Sequence, residues 1–151
     1  MTVRMTDEET WDLVDRSAKG ILTTLRADGR PVALPVWYVT VDRHVFVSTR
    51  GKKVDRARND PRCSFLVEGG DRWVELRAVH LDCTASLLAP DDDRRRALER
   101  LFAEKYAALR AGRGEMPAAT RDHYEARMGA ILELTPNDKV LTWDNRKLGV
   151  Q

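Results

Sequence analysis

Little in this sequence points to a membrane protein, a disulfide scaffold or a hydrolytic enzyme. No stretch approaches the ~18 consecutive apolar residues of a membrane-crossing helix. Met1 leads into polar Thr6, Asp7, Glu8 and Glu9 rather than a basic segment followed by an apolar one, so no secretory leader is expected. There are only two cysteines, Cys63 and Cys83, both inside apolar strand-like runs. Buried free thiols in a reducing cytoplasm are expected. His44, His80 and His123 lie far apart, without the spacing of a metal site or of a nucleophile and its base. An excess of charge is missing too: 33% of residues are charged, yet the formal net charge is +2. Nucleic-acid surfaces usually carry a stronger imbalance, so no such partner is expected. Internal repeats and low-complexity linkers are also absent.

What is present fits one domain. A chain of 151 residues with 42% hydrophobic content can bury a single core, and residues 1–151 are read as one unit. Thr6 followed by Glu9 is a capping box, and Trp11, Leu13, Val14 and Ala18 follow at helical spacing, which predicts an amphipathic helix over residues 6–19 ended by Gly20. The period then changes. Ile21 to Leu25 are β-formers closed by the turn Ala27-Asp28-Gly29-Arg30. Residues 31–41 read as one long second strand with two apolar faces, both of which need cover, and residues 44–49 as a third strand beyond the turn Asp42-Arg43.

Residues 50–59 lose the strand alternation and keep Val54 and Ala57 three apart, which predicts a short basic helix stopped by Asp60-Pro61. Strands are expected over residues 62–68 and 73–88, the second long enough to bulge. Pro90 and three aspartates are placed at the start of the main helix, with Leu98, Leu101, Phe102, Tyr106 and Leu109 as one apolar stripe. Residues 111–119 read as a surface loop and 120–128 as a short helix. Strand material at 130–134 and 139–144, broken by the turn Thr135-Pro136-Asn137-Asp138, closes the chain. Six strands, the broken closing stretch counted as one, joined mainly by hairpins argue for a mainly β fold, a closed or nearly closed antiparallel barrel with flanking helices.

The strongest chemical feature is Ser48-Thr49-Arg50-Gly51-Lys52-Lys53, where a strand ends and a helix begins. Hydroxyls, unpaired amides, cationic side chains and a helix dipole converge there, as an anion site requires. A solvated basic turn is the plainer alternative, and the spacing is not that of a nucleotide-hydrolase phosphate loop.

These residues also carry a resemblance. Leu22-Thr23-Thr24-Leu25-Arg26 with Asp28-Gly29, Pro35-Val36-Trp37-Tyr38, Val47-Ser48-Thr49, Lys53, and Asp60-Pro61-Arg62 occur in the order and spacing of the flavin-binding split-barrel superfamily. That superfamily includes pyridoxamine phosphate oxidases and actinobacterial oxidoreductases that use the deazaflavin coenzyme F-420. Val140-Leu141-Thr142-Trp143-Asp144 extends the similarity to nearly the whole chain.

The resemblance implies a six-stranded antiparallel split β-barrel and a cytoplasmic homodimer with two coenzymes in grooves between subunits. It implies a coenzyme phosphate held by Ser48, Thr49 and Lys53, with Arg50 and Lys52 as helpers, and a ring lying against the backbone of Pro35, Val36 and Trp37. Trp73 or Trp143 could reach that ring from the partner chain, although packing is the plainer role for either. The resemblance, together with the arginine-rich composition, favours F-420 over FMN as the coenzyme, which is expected to carry hydride to a small unsaturated or aromatic substrate. No catalytic side chain or metal is implied. No Arg-x-His is read near the C-terminus, the motif that would grip pyridoxal in true pyridoxamine phosphate oxidases, so oxidation of that vitamin is not expected. The alternative is a protein that binds flavin, deazaflavin or haem without turnover.

Overall fold

The structure, a computed structural model, describes residues 2–110, 112–120 and 129–150. Its strands are β1 (Gly20–Leu25), β2 (Pro31–Val36), β3 (Tyr38–Val41), β4 (His44–Thr49), β5 (Arg62–Gly69), β6 (Arg77–Leu87) and β7 (Ala130–Asp144). Three helices flank them: α1 (Asp7–Arg16), α2 (Lys52–Asn59) and α3 (Arg95–Tyr106). All strand pairs are antiparallel, in the order β2-β1-β5-β6-β7-β4-β3.

The two edge strands, β2 and β3, are consecutive in sequence and separated only by Trp37. Adjacent Cα atoms lie about 3.8 Å apart, so the sheet must curl until its edges meet. The barrel is thus closed by covalent chain where a ladder is missing. This explains why seven strands stand where six were expected: residues 31–41 divide at Trp37 and serve both edges. Pro35 has no N–H to give, and the Tyr38 N–H donates to Tyr106 Oη at 2.8 Å instead of to a strand neighbour.

Apolar side chains fill both sides of the sheet. Val45 and Val47 of β4 join Leu22, Phe65, Leu81 and Leu134 inside the barrel, while Phe46 packs outward with Val39, Ile131 and α3. α1 has the expected capping box, Thr6 Oγ1 accepting from the Glu9 N–H and the Glu9 carboxylate from the Thr6 N–H. α2 buries Val54 and Ala57, as their spacing predicts.

Several elements differ from the sequence reading. Trp73–Glu75 form a 3-10 turn rather than the start of β6. α3 begins at Arg95 with no acid in its first turn, because Asp92 accepts from the Arg94 N–H at 2.9 Å and from its guanidinium at 3.0 Å, holding residues 90–94 as turns. Leu98, Phe102 and Tyr106 of the stripe are buried, but Leu101 and Leu109 are exposed. Residues 135–138 do not interrupt the last strand. β7 is continuous, and between the pairs Leu81–Val140 and Cys83–Pro136 it holds three residues where β6 holds one, an irregularity that absorbs the turn-formers and puts the extra residues in β7 rather than in β6. The helix expected over 120–128 falls almost entirely outside the described residues.

Cys63 and Cys83 are free and face each other across β5 and β6. Cys83 is buried and Cys63 half-buried; burial pushes the Cys63 thiol up to about 12 and raises that of Cys83 as well. Among the described residues no helix is long and apolar enough to cross a membrane.

Candidate cofactor site

β4 lies between β3 and β7, so its end is fixed on both sides: Ser48 stands opposite Ile131 and Thr49 opposite Ala130. Strand alternation then separates the two hydroxyls. Ser48 is exposed on the face of Phe46, whereas Thr49 is 7% exposed on the face of Val45 and Val47. The hydroxyl pair seen in the sequence is therefore divided between the two faces of β4.

Gly51 follows with φ 63 and ψ −136, a left-handed backbone that favours glycine, and it caps α2 with no side-chain hydrogen bond. The cap residue thus offers the first-turn amides of α2 no side-chain acceptor. Lys52 is exposed and Lys53 half-buried beside them, as is Arg50. α2 is tied to the barrel by Arg56 Nε, which donates to the buried Thr24 Oγ1 at 2.9 Å. Chain also passes close beneath the turn at Gly129, where a Cβ would lie 3.2 Å from Ser48 Oγ and 3.7 Å from Arg50 Nε. A donor set of this kind, with Gly129 leaving space beside Ser48 Oγ, fits a phosphate.

A cleft of about 950 Å³ adjoins this turn, with a floor of Leu87, Leu88 and Ala130. Its rim carries both signs, Arg58, Arg95 and Arg96 against Asp91, Asp93 and Glu99. Arg95 donates to the Gly129 carbonyl at 3.0 Å and pairs with Glu99 at 3.1 Å.

The second group of expected site residues comes to the same end of the barrel. Tyr38 pairs with Val47, which brings Trp37 beside Ser48. Pro35 is exposed, Val36 buried and Trp37 half-buried. Ala33 and Pro35 leave the outward face of β2 open, so the cover expected on both faces is present on one. Pro35, Ile21, Leu66, His80 and Leu141 form a cross-strand row over five strands, ending on a Leu141 that is 59% exposed.

The two outlying tryptophans are not brought in. Trp143 is half-buried on β7 opposite Ala78, and Trp73 is 61% exposed, its carbonyl accepting from Asn145 Nδ2 at 2.7 Å. Both stand at the far end of β7 from Ala130, on the order of 40 Å of strand away at ~3.3 Å per residue. Within one chain they do not share a site with Ser48.

Sequence reasoning missed α3's part. The Tyr106 ring stacks on Trp37 at 4.2 Å and 6°. Lys105 Nζ lies 3.9 Å from the centroid of the Tyr38 ring, buried and without a hydrogen-bond partner, and desolvation lowers its pKa to about 8. A helical stripe showed that Tyr106 would be buried, but not on what. His44 Nδ1 lies 3.1 Å from the Glu133 carboxylate, which Arg94 also holds at 2.9 Å, and His80 is 3.8 Å from Asp82. No group of side chains suited to a metal occurs among the described residues. One Arg-x-His does occur upstream of β7, Arg121-Asp122-His123, outside the described residues.

Comparisons with known proteins agree with this architecture. A sequence model described as pyridoxamine 5'-phosphate oxidase matches residues 6–138. A conserved hypothetical protein from Mycobacterium tuberculosis is 26% identical, with a TM-score of 0.81 over 99% of this chain and 91% of that one. A haem storage protein from Vibrio cholerae is similar at 15% identity and a TM-score of 0.69, over 95% of this chain and 96% of its own. A protein described as an F420 reductase is 18% identical, with a TM-score of 0.64 over 90% of this chain and 98% of its own.

Proposed function

Because the chain belongs to the pyridoxamine 5'-phosphate oxidase family, we propose that it is a cytoplasmic, homodimeric oxidoreductase that uses F-420, or FMN, to pass hydride to a small, flat, unsaturated substrate. One juxtaposition carries the proposal: an α2 amino end without a side-chain cap, flanked by Ser48, Lys52 and Lys53, lies beside the strand break at Trp37. An anion-binding turn next to a planar, half-buried wall suits a ring with a phosphorylated tail.

When bound, the coenzyme supplies the redox chemistry as a hydride donor. The chain's own residues bind and orient. Ser48 Oγ, the amides of Lys52 and Lys53 and the two ammonium groups hold the phosphate, with Arg50 and Thr49 beside them. Backbone at Pro35, Val36 and Trp37 takes the ring edge, and the Trp37 indole limits water on one side.

Trp73 and Trp143 enter the site only from a second copy. The row ending at exposed Leu141 is the surface offered for that copy, and burying it would complete the cover missing over Pro35. Similarity to a haem storage protein favours a second reading, a carrier that binds flavin, deazaflavin or haem without turnover.

Fluorescence titration with F-420 and FMN tests the binding, and oxidation of the reduced coenzyme by quinones and enones tests turnover. Binding weaker than about 1 mM for both, equivalent to about 4 kcal/mol, ends the proposal. Tight binding without any oxidation by the substrate panel selects the carrier. Sedimentation at micromolar concentration should give twice the chain mass, and a lone subunit would remove the tryptophans from the site.

A further inference from the structure

Trp37 belongs to neither of the ladders it joins, so something other than sheet pairing must set its orientation. Tyr106 makes the contacts that do so. Its ring lies parallel to the indole at 4.2 Å, and its hydroxyl sits 2.8 Å from three backbone atoms: the Tyr38 N–H, the Tyr38 carbonyl and the Ala18 carbonyl. A phenol has one proton and can accept as well. The oxygen therefore accepts from the Tyr38 N–H and shares its proton between the two carbonyls.

These bonds hold the chain in the conformation that breaks the strand, since the Tyr38 amide is taken up by a side chain and not by a ladder. α3 makes the support rigid. Phe102 packs one turn earlier at 6.2 Å from Tyr106, and the whole Tyr106 residue has no exposed surface.

We propose that Tyr106 is a positioning residue for the coenzyme ring, fixing the Trp37 indole and the backbone on either side of it through one stack and one three-way hydroxyl. The inference rests on the ring site proposed above and extends it to a residue that touches no coenzyme. Removing the hydroxyl leaves a buried Tyr38 N–H without its acceptor, which favours a different path for residues 36–38. The phosphate turn at Ser48 to Lys53 sits on β4 and α2 and keeps its own supports.

The variant Y106F, which keeps the ring and loses the hydroxyl, separates these roles. Two measurements are made on the dimeric protein: exchange of the Tyr38 amide without coenzyme, and affinities for FMN, F-420 and inorganic phosphate. Faster exchange at Tyr38, a roughly tenfold loss of coenzyme affinity and unchanged phosphate affinity are expected. Unchanged coenzyme affinity overturns the inference, and so does an equal loss for phosphate, which would reflect general loosening.

If Y106F does not fold, W37L provides the second arm. It removes the stack and leaves the hydroxyl bonds, and should lower coenzyme affinity with the Tyr38 amide still protected; retained affinity overturns the inference. Failure of the wild-type protein to bind either coenzyme is a separate result that defeats the function proposal itself, and this inference falls with it.

Discussion

The Phe65 ring lies so close to the backbone of Gly20 that a Cβ on residue 20 would fall 2.1 Å from Cζ. Phe65 is fully buried and meets Tyr38 edge-on at 4.7 Å, so it has no room to swing aside. Gly20→Ala should therefore cost about 3 kcal/mol, the upper part of the range for overpacking. Urea unfolding measures it, and a loss under ~0.5 kcal/mol would mean that the ring repacks freely.

The hairpin between β3 and β4 should gain from glycine. Asp42 and Arg43 have φ of 50 and 61, the primed turn that normally selects Asn-Gly. Arg43→Gly gives up an exposed pair with Asp7 and a 6.0 Å contact with the Trp11 ring, each worth well under ~1 kcal/mol. It relieves about 1 kcal/mol of backbone strain. A higher unfolding midpoint with an unchanged denaturant slope is expected; a lower one would show that the side-chain contacts dominate.

Lys105 predicts a slope in stability against pH. Burial holds its ammonium at about 8, against an ordinary 10.5, so the folded chain binds fewer protons than the unfolded chain between those values. Stability should climb from about pH 8 toward 10 and be lost as pH falls through 8. The buried Tyr38 and Tyr106 hydroxyls, both raised, act oppositely: their contribution is complete below pH 10 and declines above it. Lys105→Met should remove the climb and stabilise the protein at pH 7 by about 1 kcal/mol, the desolvation gain exceeding the lost contact with the Tyr38 ring. A wild-type profile that is flat between pH 7 and 9.5 would contradict this.

Three substitutions test the anion turn. Lys53→Ala should weaken coenzyme binding by about 1.5–3 kcal/mol, the range for a charge-assisted bond. Ser48→Ala should weaken it by about 1 kcal/mol. Thr49→Val, on the buried face, should change stability more than affinity. Titration calorimetry reads all three; unchanged affinity in Lys53→Ala would place the phosphate elsewhere.

Local features were the most legible in the sequence. The Thr6–Glu9 cap, the period of β1 and β4, and Val54 with Ala57 on α2 all depend on neighbours within a turn or a strand, and each formed as read. Features decided by distant partners were not legible. Nothing near Trp37 shows that Tyr106 will take the Tyr38 amide and split a strand. Gly20 read as a helix stop, whereas the ring of Phe65 is what requires it. Thr135 to Asp138 carried a strong turn signal, yet pairing with β6 on both sides held them in one strand. For the candidate site, sequence order gave the basic turn at Ser48 to Lys53, but the facing of Ser48 and Thr49 emerged only once β4 had partners on both edges.

The position of β7 bears on how the molecule is made. In chain order it follows every other described strand, yet it lies between β6 and β4, so the chain before it can assemble only β2-β1-β5-β6 and, apart from it, β4-β3. Two half-sheets tethered at Trp37 must wait, apolar edges open, until β7 arrives to bridge them. A chain cut before Ala130 would therefore form no native barrel, and should aggregate rather than fold into a weakened form.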